Sequence, residues 1–152
     1  MPHAAGHDVE SVLFNDMPGY SPALALNEAG QARWGRLLSL RDAVNKALEA
    51  ARTAGVAKKA QDAEVTLSVS APDAGFLAGV DLATLFIVSR VNVTTDPIDG
   101  MRAADCLVPC TIAVKQAEAP KCPRCWNHND HIGSPDGHAE LCPRCAAVLE
   151  QL

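Results

Sequence analysis

Apolar residues recur every three to four positions between about Asn27 and Gly55, where Trp34, Leu37, Leu38, Val44, Leu48 and Ala51 fall on one stripe. Asn27 can accept a hydrogen bond from a first helical turn and Gly55 can end the last, so the spacing predicts a long helix with an apolar, core-facing face. The period then drops to two. Val65, Leu67 and Val69 alternate with Thr66, Ser68 and Ser70, the pattern of a strand with one wet face, ended by Pro72. A short helix is predicted from Asp73 to about Leu82. The β-branched, apolar run from Leu85 to Val93 predicts a central strand closed by Asp96-Pro97 and Asp99-Gly100, and Cys106 to Val114 predicts a third strand. Residues 1–20 show no sustained period; Gly6, Pro18 and Gly19 mark an extended arm. Gln116 to Pro120 reads as a linker, and Ala146 to Leu152 can add a final helical turn.

Beyond the linker the pattern carries chemistry. Cys122-Pro123-Arg124-Cys125 and Cys142-Pro143-Arg144-Cys145 together spell C-x2-C-x16-C-x2-C. Each turn can aim two thiolates at one ion, and the spacer lets the second turn close a tetrahedron of four sulfurs, so Cys122, Cys125, Cys142 and Cys145 are read as ligands of one structural Zn2+. A closed shell leaves no open position for a substrate or an activated water. Pro123 and Pro143 preset φ for tight turns. Lys121, Arg124 and Arg144 flank the sulfurs, where positive charge favours the thiolate. A disulfide framework, a redox Cys-x-x-Cys and unrelated free thiols are the competing readings. No secretory segment marks the chain for an oxidising compartment, and a redox motif would be single and would open a helix after a strand. His128, His131 and His138 lie in the spacer and read as exposed loop residues. Cys106 and Cys110, four apart on one predicted strand face, could be extra ligands or a redox pair, but buried small hydrophobes are the plainer reading.

Composition narrows the rest. The chain has 152 residues, 48% hydrophobic but only 4% aromatic, so its core is built from Ala, Val, Leu and Ile. No run approaches eighteen apolar residues, and no basic region precedes an apolar stretch at the N-terminus; no membrane partner and a cytoplasmic location are the expectations. The net charge of −5 is the wrong sign for nucleic-acid binding through overall electrostatics. Its distribution differs. From Gln31 to Lys59, Arg33, Arg36, Arg41, Lys46, Arg52, Lys58 and Lys59 face only Asp42 and Glu49, a basic stripe that suits an anionic partner or a solvated helix face.

Lys121-Cys122-Pro123-Arg124-Cys125-Trp126, preceded by Ala117-Glu118-Ala119 and followed by Cys142-Pro143-Arg144-Cys145, resembles the C-terminal zinc-binding module of bacterial isoleucyl-tRNA synthetases. Upstream, Trp34, Arg41, Val44, Leu48, Glu49 and Arg52 fit a helix of that family, Ala63 to Leu67 the strand after it, and Phe86-Ile87-Val88-Ser89 a strand ending in serine. Glu10-Ser11-Val12 with Met17-Pro18 is similar to a segment joining its anticodon-binding helices. The fold class expected is α+β: a long helix packed on a small mainly antiparallel sheet, then a four-cysteine zinc ribbon. The resemblance implies an arm at 1–20, the helical end of an anticodon-binding domain at 21–60, a small α+β domain at 61–119 and the zinc module at 120–152.

It also implies a monomer that contacts the anticodon arm of the isoleucine tRNA and works with the remainder of the synthetase. ATP would be used only on a catalytic domain N-terminal to Met1, bearing His-Ile-Gly-His and Lys-Met-Ser-Lys-Ser signatures that this chain lacks; His131-Ile132-Gly133-Ser134 is read as a coincidence. No catalytic residue is assigned. Lys121, Arg124 and Arg144 are expected to meet phosphates, Trp126 to offer a stacking surface or to shield the metal, and Arg33, Arg36 or Lys46 to line the approach. Two rival functions remain: a free-standing zinc-ribbon module docking on protein, and a DNA-binding finger like the one closing formamidopyrimidine-DNA glycosylases, whose catalytic N-terminal proline is missing here.

Overall fold

The computed structural model describes residues 11–16, 19, 21–134 and 137–151. Most of the predicted arm, with Gly6, Glu10, Met17 and Pro18, lies outside the described residues. The chain divides into two compact units, Met1–Gln31 and Ala32–Leu152, the boundary falling inside the long helix. In the first unit the described residues form two single 3-10 turns, Val12–Phe14 and Pro22–Leu24, before α1 (Glu28–Thr53) begins. Asn27 caps α1: its Oδ1 accepts from the Gly30 N–H at 2.8 Å.

In the second unit α1 runs to the predicted stop. Gly55 sits at φ +76°, where its N–H reaches the Arg52 carbonyl and the Val56 N–H reaches that of Ala51. These bonds satisfy carbonyls the helix end would leave orphaned, and a left-handed residue is needed to make them. The buried face differs from the expected stripe. Leu37, Leu40, Ala43, Val44, Ala47 and Ala51 are buried, whereas Trp34 and Leu38 are 45% and 48% exposed. Neighbouring positions point about 100° apart on a helix, so Leu37 and Leu38 cannot both face the core, and the small Ala43 and Ala47 let the sheet approach.

The sheet has four strands in the order β2-β1-β4-β3: β1 (Ala63–Val69), β2 (Arg90–Thr94), β3 (Met101–Ala103) and β4 (Cys110–Gln116). The β1–β4 and β3–β4 pairs are antiparallel, and β1–β2 is parallel, so the sheet is mixed with an antiparallel majority. A parallel pair needs a crossover. Here it is made by α2 (Ala71–Leu77) and α3 (Leu82–Phe86). Ser70 caps α2, its hydroxyl accepting from the Asp73 N–H, and Asp81 caps α3, accepting from the Thr84 N–H at 3.0 Å. Leu40 and Val44 of α1, Val65 and Leu67 of β1, Phe86 of α3 and Ile112 of β4 are among the fully buried side chains of one continuous core.

Three expectations fail. The run Leu85–Val93 is no central strand: it holds the end of α3, a left-handed cap at Ile87 (φ +60°), the buried Val88 and the edge strand β2. β-Branched composition drew the expectation, and the Asp81 cap overrides it. Phe86–Ser89 is therefore a helix end and not a strand. The third predicted strand is really β4, which starts at Cys110; residues 104–109 are a loop back from β3. Cys106 lies in that loop, its Sγ accepting from the Ser39 hydroxyl and the Val108 N–H, and Cys110 is buried at the head of β4.

Candidate metal centre and its surface

The Sγ atoms of Cys122, Cys125, Cys142 and Cys145 all lie within 4.8 Å of one another. The first pair sits in a tight loop, where the Trp126 N–H bonds the Cys122 carbonyl at 2.8 Å and the Cys122 N–H bonds the Asn127 carbonyl at 3.0 Å. The second pair opens α4 (Pro143–Leu149), with Cys142 at its cap and Pro143 at its first position, where a missing N–H costs nothing. Only one of the two Cys-Pro-Arg-Cys units is thus a free-standing turn. Ile132 and Leu141 pack against the sulfurs.

The donor set fits zinc. A zinc–sulfur bond of about 2.3 Å puts tetrahedral sulfurs about 3.8 Å apart, and the Sγ atoms of Cys125 and Cys142 stand 3.8 Å apart. Burial raises the Cys122 thiol, but the N–H groups of Cys125, Cys142 and Arg124 outweigh it and bring the thiol down to about 6. Burial, helped by the neighbouring thiols, pushes Cys125 up to about 12. Burial also raises Cys142. Four sulfurs this close can all be ionised only around a cation, and the shell they make is closed.

A polar seam joins this module to the sheet. The His128 N–H donates to Ser89 Oγ at 2.7 Å, and that hydroxyl donates to the Gln61 carbonyl. The His128 ring stands between the Ala119 carbonyl and Asp62, and Lys121 Nζ meets the same Asp62 carboxylate at 2.5 Å. Asp62 is held below the usual carboxylate range, first by the Lys121 hydrogen bond, against burial, and then by His128. Arg90 pairs with Asp130 across the seam. His128 is therefore no exposed loop residue: its side chain is 13% exposed. His131 is exposed. Gly133, in the look-alike His-Ile-Gly-Ser, sits at φ +80° in a turn where a Cβ would lie 2.7 Å from the Ala139 carbonyl oxygen, which accounts for the glycine structurally.

The predicted contact residues separate into two groups. Around the metal centre Arg124 and Arg144 are exposed, and Trp126 is 57% exposed at φ +65°. Lys121 is occupied by Asp62. On α1, Arg36 pairs with Asp73 at 2.6 Å and covers the Phe76 ring at 3.8 Å, with Arg33 at 5.5 Å from the same ring. Lys46 is exposed on a cleft shared with Asp42, Arg102 and Asp105. One cation that sequence spacing did not single out joins the first group: Lys59 Nζ lies 5.7 Å from the Trp126 ring centre. Asp62 gave no sequence signal either, and nothing in the sequence joined it to Ser89 or His128, because their meeting links positions 28 to 66 residues apart.

Comparison with known proteins agrees with this geometry. Residues 120–148 match the family model of the zinc finger found in FPG and IleRS. The chain is 39% identical over 143 residues to an isoleucine–tRNA ligase of Geobacter sulfurreducens, an alignment covering 92% of this chain and 15% of that protein. It is 37% identical over 152 residues to the enzyme of Desulfitobacterium hafniense, covering 97% and 16%, and 38% identical over 148 residues to that of Staphylococcus epidermidis, covering 94% and 15%. The chain spans about one-sixth of the length of these relatives or slightly less.

Proposed function

We propose that this chain, homologous over more than nine-tenths of its length to a C-terminal segment of bacterial isoleucine–tRNA ligases, is the zinc-containing, tRNA-binding part of such a ligase and helps it recognise isoleucine tRNA. The observation that carries the reading is the pairing of that homology with a closed four-cysteine centre that presents an exposed tryptophan beside exposed cations. The zinc is structural: it holds two loops in place and leaves binding to the side chains around it. Isoleucine activation with ATP belongs to the rest of the ligase. A monomer in the cytoplasm, divided into an anticodon-binding helical end at 21–60, an α+β domain at 61–119 and the module at 120–152, completes the reading.

Recognition would work by two means. Lysine and arginine neutralise phosphates, which gives salt-dependent affinity, and an unstacked loop base lies on the Trp126 plane, a contact worth about 1–3 kcal/mol. Arg124, which makes no ion pair among the described residues, suits the first role, as does Arg144, whose charge also acts on Asp81. Arg36, held between Asp73 and Phe76, is the weakest candidate. The net charge of −5 favours one rival, a module that docks on protein. Titration of the zinc-loaded chain with isoleucine tRNA at several salt concentrations decides between them: salt-dependent binding weakened by Trp126→Ala and Arg124→Ala, with zinc content unchanged, is the expected result, and no salt-dependent binding would sink the reading.

A further inference from the structure

Lys58 and Lys59 follow the left-handed stop of α1 and line a groove of about 260 Å³ with Asn45, Glu49 and Arg52. Arg52 is already paired with Glu49, through two hydrogen bonds of 3.0 and 2.7 Å. Neither lysine makes an ion pair among the described residues, and both are exposed. Lys59 reaches instead to the face of Trp126, so one lysine of the groove also borders the aromatic plane. Its volume lies below the roughly 300–1,000 Å³ of small-molecule pockets, which suits a phosphate or a ribose and not a whole ligand.

We infer that Lys58 and Lys59 form the phosphate-binding half of a nucleotide site whose base-binding half is Trp126, and that the RNA enters across the C-terminal end of α1. This rests on the tRNA-binding reading and makes it specific: the backbone phosphate next to the stacked base is met by these two lysines, and Arg33, Arg36 and Lys46 farther along α1 are not part of the site. A cation within about 6 Å of an indole face is held there by the ring's quadrupole. In the free protein Trp126 thus parks the Lys59 ammonium where an arriving phosphate needs it.

The test uses the full zinc-loaded chain and an isoleucine tRNA transcript, followed by fluorescence anisotropy at several salt concentrations. Lys58→Gln and Lys59→Gln are each expected to weaken binding several-fold and to reduce the slope of log affinity against log salt by about 0.7 to 1. Lys59→Arg restores the slope, and Lys46→Gln leaves it unchanged. If the parent chain binds with a salt dependence that the Lys58→Gln/Lys59→Gln double variant retains, the site is wrong while the tRNA-binding function stands. If the parent chain shows no salt-dependent binding, both fall together.

Discussion

The helix-and-sheet region and the cysteine module are held together by different forces. From α1 to β4 the chain buries one continuous cluster of Leu, Val, Ala, Ile and a single fully buried aromatic, Phe86. From residue 120 onward the buried cluster is Cys122, Cys142 and Cys145, with Cys125, Ile132 and Leu141 against them. The first region is held by the apolar surface it removes from water. The second buries little besides its sulfurs, so its order would come from a cation held by them. Stability and surface design are thereby separated: the sheet needs its apolar interior, whereas the module, organised around four sulfurs, leaves Arg124, Trp126 and Arg144 outside.

Stripping the metal with a chelator should break this comparison most severely. Structural zinc in small fingers contributes on the order of 10 kcal/mol, so residues 120–149 should lose amide protection while α1 and the sheet keep theirs, as hydrogen exchange will show. Acid should act in the same direction, because protons compete with the metal for the thiolates. Next in size is Leu40→Ala, at a fully buried position; a loss of about 2–5 kcal/mol in urea unfolding is expected, with the zinc stoichiometry unchanged.

His128→Ala tests the seam. Its backbone N–H still serves Ser89, but leaving Asp62 and the Ala119 carbonyl without the imidazole should cost about 1–3 kcal/mol and raise exchange at the module's edge without releasing zinc. The pH sign follows from Asp62: its folded carboxyl is lowered, so its contribution is complete above the ordinary aspartate range and fades as pH falls through the lowered value. Asp62→Asn should abolish that acid limb. Gly55→Ala, forcing a side chain into φ +76°, should cost about 1 kcal/mol in urea unfolding. Smallest of all, Arg52→Ala should leave the midpoint unmoved, since its pair with Glu49 is solvent-exposed.

What the sequence revealed follows the same division. The α1 helix was legible because both ends carry local signals, Asn27 and Gly55; β1 was legible from strict alternation; the metal centre was legible from spacing alone. The α3 helix was not, because five residues cannot establish a period and β-branched neighbours outweighed the Asp81 cap. The three-residue β3 exists only through its pairing with β4. Hidden altogether was the seam, since Asp62, Ser89 and His128 come from separate elements and meet only once the sheet has formed. The exposure of Trp34 and Leu38 shows the limit of periodicity: it names a face several residues wide, and packing chooses which of them go inside.

Trp126 stands at a left-handed backbone position that glycine would occupy with less strain. Selection for endurance and selection for grip therefore pull this residue in opposite directions. A library of variants sorted purely by resistance to heat should drift toward glycine at this position, and the survivors would be sturdier proteins with no flat surface left to offer.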